Sequence, residues 1–328
     1  MRKQISIIVP VFNAYNTLFR CLKSLICQTY KNIEIICIDN GSSDKSLEVL
    51  ENFAKKDNRV KIISKINDGY GSSCNIGINV ASGEYLSIVE ASGFCHKKMF
   101  DNLLRLAEKS EADIVKSPYY KITDKDDIKS GFEIQSKVDW NKRCKIPNWF
   151  FRINECPSFL SFHPAIFSSL YKKSFLNNNS IRFVEARGQN SFVDMPFSIE
   201  TMLLAKKIVY TDNPYYCHRH SMIDFQNPED CIFPFDRIEE VFQILIGQKI
   251  KDKNVTANIY KRVLKLINIV FTALDREEKF DIKNMPYEVQ LRIEKIISSL
   301  DEDIVNNSLF IDDFERRFFN LLSPNKIL

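Results

Sequence analysis

Two hydrophobic rhythms alternate between Ile5 and Phe94. Short, nearly unbroken apolar runs occupy Ile5–Val11, Ile33–Ile38, Val60–Ser64 and Tyr85–Val89. Strands covered on both faces read this way, because neither side of the pleat meets water. The segments between them carry apolar residues at helical spacing. These are Leu18, Cys21, Leu22, Leu25 and Ile26, then Leu47, Leu50, Phe53 and Ala54, then Ile76, Val80 and Ala81 before Gly83. Each set places one apolar stripe on a helix. Strand and helix in alternation predict an α/β domain with a parallel sheet.

Beyond that stretch the pattern loosens. Phe100, Leu103, Leu104 and Ala107 mark another helix, and Ile114-Val115 begin a further strand. Thr123 to Pro157 mixes charge, aromatics and scattered polar residues. It is expected to be a long loop or lid over a pocket, or else a solvated insertion. Order returns at Pro164–Leu176. Pro196–Ala205 then predicts a helix with Asp194 just before it, and Lys207–Thr211 a short strand. From about Phe235 helical stripes dominate: Phe242, Leu245 and Ile246, then Val263, Leu266, Ile267 and Val270, then Leu291, Ile293, Ile296 and Ile297. Residues 1–225 are expected to form one α/β domain, in two parts of about 1–117 and 118–225. Residues 226–328 are expected to form a helical extension.

Polar residues gather just past the strand ends. Val11 is followed by Phe12-Asn13, and Ile38 by Asp39-Asn40-Gly41-Ser42-Ser43-Asp44. Ser64 leads to Asn67-Asp68-Gly69-Tyr70-Gly71, and Val89 to Glu90-Ala91-Ser92-Gly93. Open parallel sheets bind ligands beyond the carboxyl ends of their strands. Acids and glycines placed there repeatedly point to a nucleotide pocket. The third of these segments is no phosphate loop, because no Gly-Lys-Ser/Thr follows it.

The same residues carry a family resemblance. Ser6-Ile7-Ile8-Val9-Pro10-Val11-Phe12-Asn13, Cys21-Leu22-Lys23-Ser24-Leu25, Asn32-Ile33-Glu34-Ile35-Ile36, Ile38-Asp39-Asn40-Gly41-Ser42-Ser43-Asp44, Asn75-Ile76-Gly77 and Ser82-Gly83-Glu84-Tyr85 stand in a characteristic order and spacing. They resemble the GT-A glycosyltransferases of family 2 over roughly the first 115 residues. Fainter likeness runs through Ala112–Ser117, Leu170–Leu176, Val193-Asp194 and Tyr215-Tyr216-Cys217-His218-Arg219. The resemblance implies a GT-A, Rossmann-like nucleotide-diphospho-sugar transferase fold. The part to about residue 117 would bind nucleotide, and the part to about 225 would face an acceptor.

The resemblance also assigns roles. Pro10, Val11, Phe12 and Asn13 after the first strand, with Asp39 and Asn40 after the second, would hold base and ribose. Asn40 stands where the family has a second acid; an amide oxygen can still accept from an imide N–H. Asp39 also suits a loop turn, since Asp, Asn and Gly favour turns for local reasons. Gly69, Tyr70 and Asn75 would line the nucleotide side. The family places a pair of acids after the strand that follows Gly-Glu-Tyr, and they position Mg²⁺ or Mn²⁺ against the leaving diphosphate. Here Glu90 matches the first acid, Ser92 replaces the main metal-ligating acid, and Gly93 replaces the next. Three readings stay open: weak metal binding through Glu90, basic residues in place of metal, or lost activity. His96, His218 and His220 are candidate nitrogen ligands or cations. Restoring acids at positions 92 and 93 is expected to raise metal-dependent diphosphate binding. Asp194 matches the family's general base, and it also suits a helix N-cap.

Bulk properties narrow the partners. A net charge of +4 over 328 residues gives no case for nucleic acid. Nine scattered cysteines without a Cys-x-x-Cys pair read as buried free thiols, among them Cys21, Cys27 and Cys37. That usage suits a reducing cytosol. The apolar start is interrupted by Pro10, unlike a signal peptide. Lys261-Arg262, Lys265 and Arg316-Arg317 are read either as a solvated helix face or as a face toward a membrane leaflet. The family resemblance implies inverting transfer of a sugar, from a uridine diphosphate sugar to a bacterial capsule or lipooligosaccharide acceptor. It would act in the cytoplasm, with peripheral attachment to the inner membrane face left open. The alternative is a catalytically inactive pseudo-glycosyltransferase that binds glycan or a partner enzyme. A nucleotidyltransferase is discounted, because that class carries a Gly-rich, basic signature after the first strand.

Overall fold

The unbroken apolar runs form β1 (Ile5–Val11), β2 (Ile33–Asp39), β3 (Val60–Ser64) and β4 (Tyr85–Ile88), close to the predicted bounds. Every residue of β1 and β2 is buried, as a run with no polar face requires. They belong to a computed structural model that describes residues 3–125, 127–139, 145–147, 149–186, 192–219, 231–274 and 285–323. Three crossover helices follow the first three strands: α1 (Tyr15–Ile26), α2 (Ser46–Ala54) and α3 (Tyr70–Val80). The buried face of α1 is Leu18, Cys21, Leu22 and Leu25, which is the stripe read from the sequence.

The main sheet is completed by β6 (Ile114–Lys116), β9 (Ser169–Lys172) and β10 (Ile208–Tyr210), with α4 (Met99–Ser110) leading into β6. Its strand order is β10-β6-β9-β4-β1-β2-β3. β1 pairs in parallel with β2 and with β4, and β9 runs antiparallel between β4 and β6. The chain therefore leaves β1 toward β2 and β3, then returns across β1 to lay down β4 on its other side. The order reverses between β1 and β4, and that is where open sheets hold ligands.

A second, four-stranded sheet corrects one expectation. Its order is β5-β11-β7-β8, built from Phe94–Cys95, Tyr216–Arg219, Tyr119–Lys125 and Asp127–Val138. The first part of the stretch Thr123–Pro157, expected as a loop or lid, belongs instead to the β7–β8 hairpin, which runs to Val138. Charged residues at Asp124, Lys125, Asp127 and Lys129 hide the strand pattern, but antiparallel backbone pairing of β7 with β8 sets the conformation. Propensity is a weak guide for such a strand.

The described chain divides into two compact units. The first comprises Met1–Arg152, Ala165–Arg187 and Thr201–Ser221, and holds both sheets. The second comprises Ile153–Pro164, Gly188–Glu200 and Met222–Leu328. It therefore draws in two segments from before residue 225, rather than starting at one cut there. Its helices include α7 (Phe233–Gly247), α8 (Lys253–Leu274), α9 (Tyr287–Ser299), α10 (Glu302–Asn307) and α11 (Asp313–Leu322). The start of α6 (Asp194–Leu204) belongs to it as well.

Of the five basic residues singled out in the helical unit, Lys261, Arg262 and Arg316 are buried or half-buried in its packing. Arg262 is buried on α8 and donates to the Leu160 carbonyl at 3.4 Å. Lys261 pairs with Asp312 at 3.2 Å and Glu315 at 3.6 Å, and Lys265 approaches Glu315 at 3.8 Å. Arg316 binds Asp313 and the Ser308 carbonyl. Only Arg317 of the five is exposed. Lys261, Arg262 and Arg316 are thereby tied into the packing around α8 and α11, while the Lys265 side chain stays 43% exposed. Among the described residues no helix is long and apolar enough to cross a membrane. Free thiols are mostly buried, as expected, but Cys27 is exposed. Burial pushes the Cys21 thiol up to about 12.

One buried acid fastens the sheet. Glu34 on β2 accepts hydrogen bonds from Ser6, from Ser82 through both its amide and its hydroxyl, and from Lys61 at 2.6 Å. Burial alone would raise its pKa, but these donors together hold it down at about 2. A depressed carboxylate pKa contributes stability above its ordinary value near 4.5, and that stability is lost as pH falls toward 2. Glu34→Gln is therefore expected to lower unfolding stability at pH 7 by about 3 kcal/mol. The gap should narrow in urea melts repeated at pH 3. An equal gap at both pH values would assign the loss to packing.

Candidate functional site

The loops after β1 and β2 are stitched together by side chains. Asn13, with a left-handed φ of 47°, accepts from the Ser43 amide at 2.8 Å, while its own amide donates to the Ser42 hydroxyl at 3.1 Å. The Tyr15 amide donates to Asp44 at 3.0 Å, and the Ala14 amide to Ser46 at 2.8 Å. Asn40 then donates its amide N–H to the Val11 carbonyl at 2.8 Å. Pro10, Val11, Phe12, Asn13, Asp39 and Asn40 thus meet at one carboxyl edge. Phe12 exposes 40% of its surface there. The Asp39 carboxylate accepts from the Ser42 amide at 3.3 Å, which leaves it acceptor capacity, since a carboxylate has about four lone-pair sites.

Asn40 does a different job from the expected one. Its side-chain oxygen accepts from Lys65 Nζ at 2.6 Å and from the Asp68 amide at 3.3 Å, and its Nδ2 donates to Asn67 at 2.9 Å. Both lone pairs of that oxygen are engaged, so the geometry does not offer it to an imide N–H. Asn40 instead wires the β2 edge to the loop after β3. That loop ends at Gly69, whose φ of 110° suits a residue without a Cβ, and Tyr70 begins α3. The Tyr70 ring meets Phe183 edge-on at 6.3 Å. Asn75 is likewise committed: its amide donates to the Phe183 carbonyl at 2.9 Å and accepts from the Phe183 amide at 2.8 Å. It straps the extended segment 181–186 to α3.

The segment after β4 holds a compact cluster. Glu90 Oε2 lies 3.2 Å from His218 Nδ1 on β11. The His218 ring stacks on Phe167, with centroids 4.4 Å apart and planes inclined by 7°. Arg219 Nε donates to the Ser92 carbonyl at 3.1 Å, and the Tyr216 hydroxyl donates to the Glu90 carbonyl at 3.1 Å. β11 therefore hydrogen-bonds the acidic segment at two points, the Glu90 and Ser92 carbonyls. His96 sits apart, exposed on its own turn, with its Nδ1 accepting from the Lys98 amide at 3.3 Å. His220 lies outside the described residues.

Gly93 needs a separate explanation. A Cβ at this position would overlap the Tyr216 hydroxyl and lie 2.6 Å from the Cys217 carbonyl oxygen. Tyr216 is fully buried and has no room to withdraw. Gly93 is thus a packing requirement of β11, and restoring an acid there, as the motif comparison suggested, is sterically barred.

The donor set does not fit a resident Mg²⁺ or Mn²⁺. Hard cations take several oxygen ligands, preferably carboxylates. Here the segment offers one carboxylate, Glu90, followed by a hydroxyl and a glycine. No group of three or more potential metal ligands exists among the described residues.

Asp194 belongs to the helical unit. It opens α6 after Phe192, which holds a left-handed φ of 51° and whose carbonyl accepts from the Met195 amide at 3.0 Å. Its charge acts on the buried Arg262. Burial pushes that guanidinium down to about 10, and Asp194 opposes the shift.

A mixed α/β sheet with its polar loops at the switch between β1 and β4 defines a nucleotide-binding architecture. The sequence profile described as glycosyl transferase family 2 matches residues 6–177, and the chain belongs to that family. Glycosyltransferase GlyG of Streptococcus pneumoniae is 37% identical over 127 residues, which is 38% of this chain and 42% of that protein. Glycosyltransferase GlyA of the same organism is 30% identical over 220 residues, covering 66% and 30% respectively. The chain therefore spans less than half the length of either relative. Among solved structures, S. aureus TarS 1-349 in complex with UDP-GlcNAc aligns with a TM-score of 0.75 over 99% of this chain and 88% of that one. At 16% identity that likeness shows the shared fold.

Proposed function

We propose that the chain is an inverting glycosyltransferase with a uridine diphosphate sugar as donor and a hydroxyl of a bacterial surface glycan or glycolipid as acceptor. The observation that carries this reading is the convergence of the β1, β2 and β4 loops at the sheet's switch point. Family membership and the UDP-GlcNAc complex of a protein with the same fold support the donor class. In this reading the acceptor oxygen attacks the anomeric carbon while the bond to the β-phosphate oxygen breaks. The electron pair leaves with the diphosphate, and the acceptor proton passes to Asp194. One displacement inverts the anomeric configuration.

Asp39 is the base-recognition acid of this scheme. Asp39→Ala is expected to weaken binding of uridine diphosphate about tenfold or more, the range for a charge-assisted hydrogen bond. Titration calorimetry measures it, with circular dichroism to verify folding. Unchanged affinity in a folded variant would remove Asp39 from the site. Release of the sugar from the donor by purified wild type separates an active enzyme from an inactive binding protein.

A further inference from the structure

The turn that follows β4 is fastened from two sides. Its first carbonyl, on Glu90, accepts from the Gly93 amide at 3.1 Å, which closes the turn. The same oxygen accepts from the Tyr216 hydroxyl on β11 at 3.1 Å and from the Cys21 thiol on α1 at 3.7 Å. Tyr216 is fully buried, and the missing side chain of Gly93 leaves room for its hydroxyl.

Helix α1 supplies the rest of the grip. Cys21 and Ser24 share one face of α1, and Gln28 continues that line just past its end. The Ser24 hydroxyl accepts from the Cys95 amide at 3.0 Å and donates to the Cys21 carbonyl at 2.6 Å. Gln28 is fully buried. Its Nε2 donates to the Ser24 and His96 carbonyls, both at 3.0 Å, and its Oε1 accepts from the Phe100 amide at 3.4 Å. Burying an amide costs free energy unless it is hydrogen-bonded, and Gln28 meets that need by pinning the backbone at His96 and Phe100. The Thr29 amide adds a bond to the Lys97 carbonyl at 2.8 Å. The chain entering α1 is stitched to the loop after β2 through the Ala14 and Tyr15 amides. One helix therefore ties together both walls of the crevice: the loops after β1 and β2, and the turn after β4.

We propose that Ser24, Gln28 and Tyr216 are positioning residues for the nucleotide-sugar, which set the Glu90–Gly93 turn in place against the diphosphate through the backbone they hold. The proposal rests on the nucleotide-sugar reading above. It concerns the wall after β4 alone, so the nucleoside, held by the loops after β1 and β2, is indifferent to it.

The test reads two ligands and the fold separately. Uridine diphosphate is titrated into the full chain by calorimetry, uridine is followed by ligand-observed NMR, and thermal melts report stability. Tyr216→Phe removes one buried hydroxyl, and Ser24→Ala removes the anchor on the opposite side. Each is expected to weaken uridine diphosphate binding about threefold to tenfold, the net worth of one hydrogen bond, while uridine binding stays within about twofold. Ser24→Thr keeps the hydroxyl and should bind uridine diphosphate within about twofold of wild type. Gln28→Met drops two bonds to the segment and should lose about tenfold or more; where it fails to fold, the two milder variants carry the test. Turnover should fall further than affinity, by up to about 10²-fold, because a misplacement of about 1 Å is felt most at the reacting atoms. Lower melting temperatures with both affinities unchanged would overturn the proposal and leave the donor reading standing, with these side chains as supports of the fold. An equal loss for both ligands would also overturn it, since the fault would then reach the whole crevice. No binding of uridine diphosphate by the wild type would defeat the donor reading and the proposal together.

Discussion

Asp194→Asn is expected to lower turnover about 10²–10⁴-fold, the usual contribution of a positioned general base. Asparagine keeps the size and the acceptor oxygen but takes no proton at neutral pH. Donor affinity should stay within about twofold, because an interaction made only in the transition state appears in kcat and not in ground-state binding. Arg262 supplies a second signature. It is buried on α8, burial lowers its pKa, and the Asp194 charge opposes that shift. Removing the charge leaves the guanidinium less compensated. Breaking a fully buried pair costs about 3–5 kcal/mol, but Asp194 is half-exposed, so about 1–2 kcal/mol is expected here. A purely structural Asp194 would show the stability loss with near-normal turnover. A general base shows both. Single-turnover kinetics with a true acceptor, beside thermal melts, separates the two outcomes.

Legibility in the sequence followed the number of faces each element buries. β1 and β2 are parallel strands in the sheet interior, so their apolar runs are nearly unbroken and their bounds can be read almost to the residue. The stripe of α1 is equally plain, because one face packs and the other does not. β7 and β8 were obscured. Their conformation comes from pairing with each other and with β11, and backbone hydrogen bonding leaves no mark on composition. In the site, the position of Asp39 at the end of β2 and of Glu90 beyond β4 was readable, because strand ends are visible as the close of an apolar run. What each side chain touches was not. Asn40 looked like a base acceptor until Lys65 and Asp68 were seen to use its oxygen. Arg219 was within the Tyr-Tyr-Cys-His-Arg segment but carried no signal of its own. Its approach to Ser92 depends on β11 pairing antiparallel with the two-residue β5, a contact separated by more than a hundred residues of chain. Arg262 misled for the opposite reason: charge suggests solvent, and only the packing of α8 shows it buried.

The second large effect concerns the two positions where the family's acids are missing, which predict opposite outcomes. Gly93→Asp is expected to destabilise the fold by about 4 kcal/mol or more, combining overpacking with a buried, unpaired carboxylate. The Cβ alone overlaps the Tyr216 hydroxyl and crowds the Cys217 carbonyl, so the pairing of β11 with β5 must open before the side chain can be placed. Low soluble yield or a melting temperature far below wild type is the expected readout. A wild-type melt would show that β11 can shift, and that Gly93 is a lost acid after all. Ser92→Asp meets no such barrier, because Ser92 is half-exposed. Its stability change should stay within about 0.5 kcal/mol, as for surface substitutions away from special features. Its chemistry should change more than its stability. The new carboxylate restores an acid at the position where the family carries one, two residues after Glu90. Binding of uridine diphosphate is then expected to strengthen about tenfold on adding Mn²⁺, because hard cations gain affinity from added carboxylate ligands. A Ser92→Asp protein that binds uridine diphosphate equally in EDTA and in Mn²⁺ would show that position 92 does not face the diphosphate.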